Sequence, residues 1–172
     1  MNFRDQLRAE ASRANTDFIV HAIDGDQDHF DNLFALIYDT NGYIANRAAW
    51  VVEKCATVYP HLVTNYLEDI VDHLKETKFN GSKRCLLKVL TIYDLPESRK
   101  GEIVDMCFTW LASPKEKVAL KVYSMHILSN ICVTEPELIP EFLAVLETHY
   151  EHNSVAFQSR AKKIFKALQR YI

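Results

Sequence analysis

Two clusters in this sequence carry residue types that could bind a metal or move a proton. The first runs from His21 to Asp31, "HAIDGDQDHFD", with Asp24, Asp26, Asp28 and Asp31 close to His21 and His29. A calcium loop starting at Asp24 needs glycine in its sixth place and glutamate in its twelfth. His29 and Ala35 stand there, so the pattern fails. The second cluster is His149-Tyr-Glu-His152. A zinc helix of the H-E-x-x-H type needs histidines four apart with the glutamate beside the first, and neither condition is met. Cationic imidazoles near a helix C-terminus are the better reading of that pair. Asp69, Asp72 and His73 share one helix surface, read as solvated. Cys55, Cys85, Cys107 and Cys132 are widely separated, with no C-x-x-C pair, and each lies in an apolar helical run where a thiol packs as a small hydrophobe. No nucleophile elbow, phosphate loop or dinucleotide turn is present, and four glycines leave little room for one. The chemistry-bearing residues therefore predict no catalytic residue, no metal site and no cofactor.

The elements that hold these residues follow from an internal period. Arg47, Arg84, Lys121 and Arg160 each open an apolar run and recur at a step near 37 residues. So do the pairs Leu33/Ile37, Ile70/Leu74, Cys107/Leu111 and Phe142/Leu146, whose members lie four apart on one helical face. Asp31, Glu68 and Asp105 form a third series. Pro60, Pro96 and Pro136 stand near helix starts, where a missing amide costs nothing. The spacing predicts helices over 3–12, 15–24, 27–38, 43–59, 61–76, 82–94, 97–112, 116–133, 136–151 and 155–170. Helix, short turn, helix, repeated at this interval, is the grammar of an α-solenoid.

Within that frame the aspartate-rich stretch is punctuation. Ile23 ends a helix, Gly25 supplies a left-handed residue, and Asp26 or Asp28 caps the next helix. A weak divalent-cation site at Asp24, Asp26 and Asp28 is the alternative reading. Trp50 and Trp110 fall in apolar helical registers and read as core. His126, in another apolar run, reads as a buried imidazole satisfied by a hydrogen bond.

The units resemble HEAT-type repeats of the armadillo-like superfamily. Leu120-Lys121 followed by Ser124 and Leu128 fits the second-helix pattern of an apolar residue and a cation near the helix start; Lys83-Arg84 and Asn46-Arg47 fit it in part. The pattern departs at Lys83 and Asn46, where an apolar residue is expected, and the inter-helix aspartate occurs only as Asp39. "RAAWVVEKC", "VALKVYSMHIL" and "SVAFQSRAKKIFKAL" are similar to short bacterial HEAT-like proteins of unassigned role. The resemblance implies an all-α, right-handed α-α superhelix of about four helix pairs plus an N-terminal helix, with 1–172 as one domain. It also implies that second helices line a concave binding face, giving Glu53, Lys54, Lys88, His126, Asn130, Lys162 and Lys166 as candidate partner contacts.

Charge and hydropathy narrow the partner. The chain has 172 residues, 48% of them apolar, with net charge −3 and pI near 6.2, so no global positive field draws it to nucleic acid or membrane. The opening "MNFRDQLRAEASRAN" lacks the apolar core of a signal peptide, and a cytoplasmic protein is expected. From Ala14 to Asn46 there are acids and no Lys or Arg; from Asn153 onward Arg160, Lys162, Lys163, Lys166 and Arg170 stand with no acidic side chain. This asymmetry reads as solvated capping faces, or as a C-terminal end that takes an acidic protein partner or a second copy of the chain. The expected function is a non-catalytic protein-protein interaction scaffold. The competing reading is a nucleic-acid-binding module related to DNA-alkylation-repeat proteins.

Overall fold

A computed structural model describes residues 1–171. Among them every regular element is helical. The chain forms two compact units, Met1–Glu97 and Ser98–Ile172.

In the first unit, α1 (Phe3–Ala9) and α2 (Arg13–Ile23), the helices expected over 3–12 and 15–24, precede two helix pairs. The first pair is α3 (Gln27–Phe34), continued by a 3-10 turn over Ala35–Tyr38, and α4 (Gly42–Val58). The second is α5 (Pro60–Val63), a 3-10 turn at Thr64–Tyr66, α6 (Leu67–Glu76), and then α7 (Asn80–Leu90). The helix expected over 61–76 is thus broken by the tighter turn near its start. In the second unit, α8 (Lys100–Ala112) pairs with α9 (Val118–Thr134), and α10 (Ile139–Tyr150) with α11 (Val155–Leu168). We call α3, α6, α8 and α10 first helices, and α4, α7, α9 and α11 second helices.

Capping explains the boundaries. Asp24 is the left-handed residue that ends α2, at φ 49°, and Gly25 follows at φ 72°. Asp26 then accepts from the His29 amide at 2.8 Å and starts α3. Two successive left-handed residues turn the chain sharply, and only glycine takes the second at little cost.

The core is the set of apolar rungs that repeats at the 37-residue step. Leu33/Ile37, Ile70/Leu74, Cys107/Leu111 and Phe142/Leu146 are all buried. In the first unit α4 is the centre, packed against α1, α2, α3 and α7. Its Ala45, Ala48, Ala49 and Ala56 are fully buried, and side chains this small let neighbouring helices approach closely. In the second unit α9 packs between α8 and α11, and Phe142, Phe157, Met125 and Ile164 fill the interior.

Hydrogen bonds one repeat apart set the register of the helices. Tyr66 donates to Asp31 at 2.5 Å, Ser82 N to Asn46 Oδ1 at 2.7 Å, and Tyr93 OH to the Ala56 carbonyl at 3.1 Å. The middle one matters most. The residue preceding α7, Phe79, offers no side-chain cap, so Asn46 on α4 supplies the acceptor that a local cap would otherwise give. Gly81 permits this, because a Cβ there would lie 2.6 Å from Asn46 Oδ1.

Gly81→Ala therefore has a diagnostic sign. Helix propensity alone would stabilise the chain by about 0.8–1 kcal/mol. Displacing the Asn46 cap should instead destabilise it by about 1–3 kcal/mol, read as a lower urea midpoint at an unchanged slope.

Candidate functional site

The second helices α4, α7 and α9 leave a stripe unburied, and α11 is open over most of its surface. On α4 the stripe holds Tyr43, Trp50, Lys54 and Thr57; on α7, Arg84 and Lys88. The spacings of three, four and seven place each set on one helical face. In the second unit the stripe on α9 holds Tyr123, His126 and Asn130, and α11 exposes Lys162 and Lys166.

The candidate contacts are distributed as follows. Glu53 and Lys88 come together, with Lys88 Nζ donating to Glu53 Oε1 at 2.5 Å. Glu53 itself is only 5% exposed, so it does not face solvent; it anchors Lys88, which is partly exposed. The other carboxylate oxygen, Oε2, is buried without a hydrogen-bond partner. Lys54, next along α4, is half-buried. In the second unit His126 is half-buried, and desolvation, with the nearby Arg160 charge adding to it, pushes its pKa down. Asn130, Lys162 and Lys166 are exposed. Arg84 and Trp50 are functional candidates that sequence reasoning missed. Trp50 is half-buried where a core residue was expected, whereas Trp110 is buried. The signal was available, since Trp50 and Lys54 lie one turn apart in a helix otherwise rich in alanine and valine.

The residues that first suggested chemistry have other work. Asp31 accepts from Gln27 and Tyr66, and Asp26 caps α3. Among the described residues, no group of three His, Cys, Asp or Glu side chains is placed to hold a metal ion. Cys55, Cys85, Cys107 and Cys132 are free and buried. Desolvation pushes the first three thiols up to about 12 and the fourth to about 11. They stay protonated at neutral pH and are poor nucleophiles.

His73 corrects another expectation. It is 7% exposed instead of solvated, with Nε2 buried and unpartnered, and the Tyr38 ring meets it edge-on at 4.8 Å. It lines a cleft of about 380 Å³ with Ile37, Tyr38, Glu76, Thr77 and Phe79. Desolvation lowers its pKa, partly countered by Glu76.

The period, the paired helices and the cation near each second-helix start point to one family. The family profile of the HEAT repeat domain matches residues 3–168. The chain belongs to the HEAT repeat family. No curated protein and no solved structure matches it. As a HEAT-repeat protein its best-matching second helix is α9, where Leu120, Lys121, Ser124 and Leu128 are all buried. Lys121 reaches out of that burial to donate to Asn153 Oδ1 at 3.0 Å. The equivalent Arg47 donates to the Leu7 carbonyl and stacks on Tyr43 at 3.3 Å. The polar Asn46, where the HEAT pattern wants an apolar residue, is explained by its cap on α7. Among the described residues no helix is long and apolar enough to cross a membrane.

Two outcomes follow from these environments. Lys88→Ala strands a buried carboxylate and should cost about 1–3 kcal/mol, while the apolar double replacement E53L/K88M should recover most of it; urea denaturation of the three proteins measures both. His73 and His126 have folded pKa values below the ordinary one of about 6.5, so the unfolded chain binds more protons below that pH. Stability should be full above about pH 6.5 and decline as the pH falls below it, with His73→Leu showing a shallower decline.

Proposed function

We propose that this HEAT-repeat protein is a non-catalytic protein-protein interaction scaffold that binds its partner with the unburied stripes of its second helices. The observation that carries the reading is the α4–α7 pair, two packed helices whose unburied stripes hold Trp50 and Lys54 on one and Arg84 and Lys88 on the other. An aromatic residue among long cationic side chains is the composition that supplies binding energy at protein interfaces. Glu53 contributes by fixing Lys88, which removes side-chain entropy before a partner arrives. In the second unit the same reading assigns His126 and Asn130 on α9, and Lys162 and Lys166 on α11, as contacts. The cations of α11 suit an acidic partner at that end of the chain. The reading treats 1–172 as one domain and places it in the cytoplasm, where four reduced thiols persist.

The nucleic-acid-binding alternative is favoured by one feature, the cluster of Arg160, Lys162, Lys163 and Lys166 on α11. Phosphate binding scales with the number of cations that meet the backbone, and α9 contributes to its surface stripe no lysine or arginine.

Photo-crosslinking separates the readings. A benzophenone amino acid introduced at Lys54 or Lys162 should give protein adducts in a lysate of the native host, and the same group at Glu68 on first helix α6 should give none. Nuclease-sensitive adducts at Lys162 would favour the alternative, and equal adducts at all three positions would remove the second-helix face.

A further inference from the structure

The two helix classes differ in charge, and the difference holds in both units. In the first unit, α3 and α6 expose Asp28, Asp31, Glu68, Asp69, Asp72 and Glu76, with Lys75 as their single lysine or arginine. Their partners α4 and α7 carry Arg47, Lys54, Lys83, Arg84 and Lys88. Glu53 is the one carboxylate on those two helices, and it is buried against Lys88. In the second unit, α8 and α10 expose Glu102, Asp105, Glu141 and Glu147, with Lys100 as their single lysine or arginine. α9 and α11 carry no carboxylate at all. The repeat period thus sorts carboxylates onto first helices and cations onto second helices, although the chain as a whole has a net charge of only −3.

In the first unit the sorting becomes geometry. α3 packs against α4, and α6 against α7, on the apolar faces of the second helices. The unburied stripes of α4 and α7 therefore point away from the acidic helices. Trp50 lies in the same stripe as Lys54, and Arg84 precedes Lys88 by one turn. Arg84 is exposed, and Lys54 is half-buried.

From this arrangement we infer that the α4–α7 face binds an acidic peptide segment bearing an aromatic or large aliphatic residue. The inference rests on the scaffold reading and gives its partner a chemistry. Lys54 and Arg84 receive carboxylates, with Arg84 offering the bidentate fork that matches them. Trp50 takes the apolar side chain. Lys88 is held in place by Glu53, and this fixed carboxylate beneath the face fits discrete ion pairs better than a continuous run of phosphates. The acidic first helices repel the same segment, so it is steered to one side of the unit.

The test uses the full chain and a fluorescein-labelled peptide of Glu-Glu-Phe-Glu repeats, followed by fluorescence anisotropy at low salt. A Lys-Lys-Phe-Lys counterpart and a duplex DNA of similar length serve as competing probes. The acidic peptide should bind, the basic one should not, and affinity should fall as salt rises. K54E/R84E should weaken binding by about tenfold or more, W50A by several-fold, and E68K/D69K should leave it unchanged or tighter. Circular dichroism and the urea midpoint establish that each variant is folded, and K54E alone replaces the double variant if R84E impairs folding. Absence of acidic-peptide binding at low salt, or binding insensitive to K54E, overturns the inference. DNA binding that is tighter than peptide binding and lost in K54E/R84E overturns it in favour of nucleic acid. Protein adducts at Lys54 alongside a failed peptide experiment would leave the scaffold reading standing and remove only the acidic partner.

Discussion

A helix that begins without its own cap must find acceptors elsewhere, and in this protein the need is met by the preceding repeat. Phe79 cannot cap α7, so the amide of Ser82 turns to Asn46 on α4. The bond forms only because Gly81 lets the Asn46 side chain come close. Once it is made, the relative register of α4 and α7 is set, and the pairs further along fall into place: Glu53 with Lys88, and the Ala56 carbonyl with Tyr93. The buried alanines of α4 allow the approach, while the polar contacts choose one alignment from the several that a smooth apolar seam would tolerate. The position of every side chain on the α4–α7 face depends on that choice.

The fold was legible because its signal is periodic. A rung of apolar residues that recurs with the repeat must face the same interior each time, so the period alone puts Leu33/Ile37 and its three successors inside, where all are buried. Helix ends were legible where they are local, as at Asp26, whose own side chain does the capping. The start of α7 was not, since its cap lies 36 residues away. The break at Thr64–Tyr66 was likewise hidden, because the apolar spacing continues across it.

The candidate face was read less well, for a related reason. Residue type suggests solvent for a charged side chain, but rotation of the helix decides. Arg47 and Lys121 sit at buried positions of the repeat and reach carbonyl and amide oxygens from there, whereas Arg84 in the same series is exposed. Glu53 looked like a surface contact and is a buried anchor; Trp50 looked like core and is half open. Hydrophobicity alone could not separate these cases, because long cations bury their stems and tryptophan tolerates partial exposure. The sorting of charge between first and second helices became visible only once each residue had been assigned to a helix class.

The four thiols add a property unrelated to binding. Cys55 and Cys85 lie in the first unit, Cys107 and Cys132 in the second, and all are shielded and protonated. An alkylating reagent can reach them only during transient openings. Each half of the molecule thus holds its own pair of native reporters, and mass spectrometry of the modified chain would time the two halves' opening separately, with no label added.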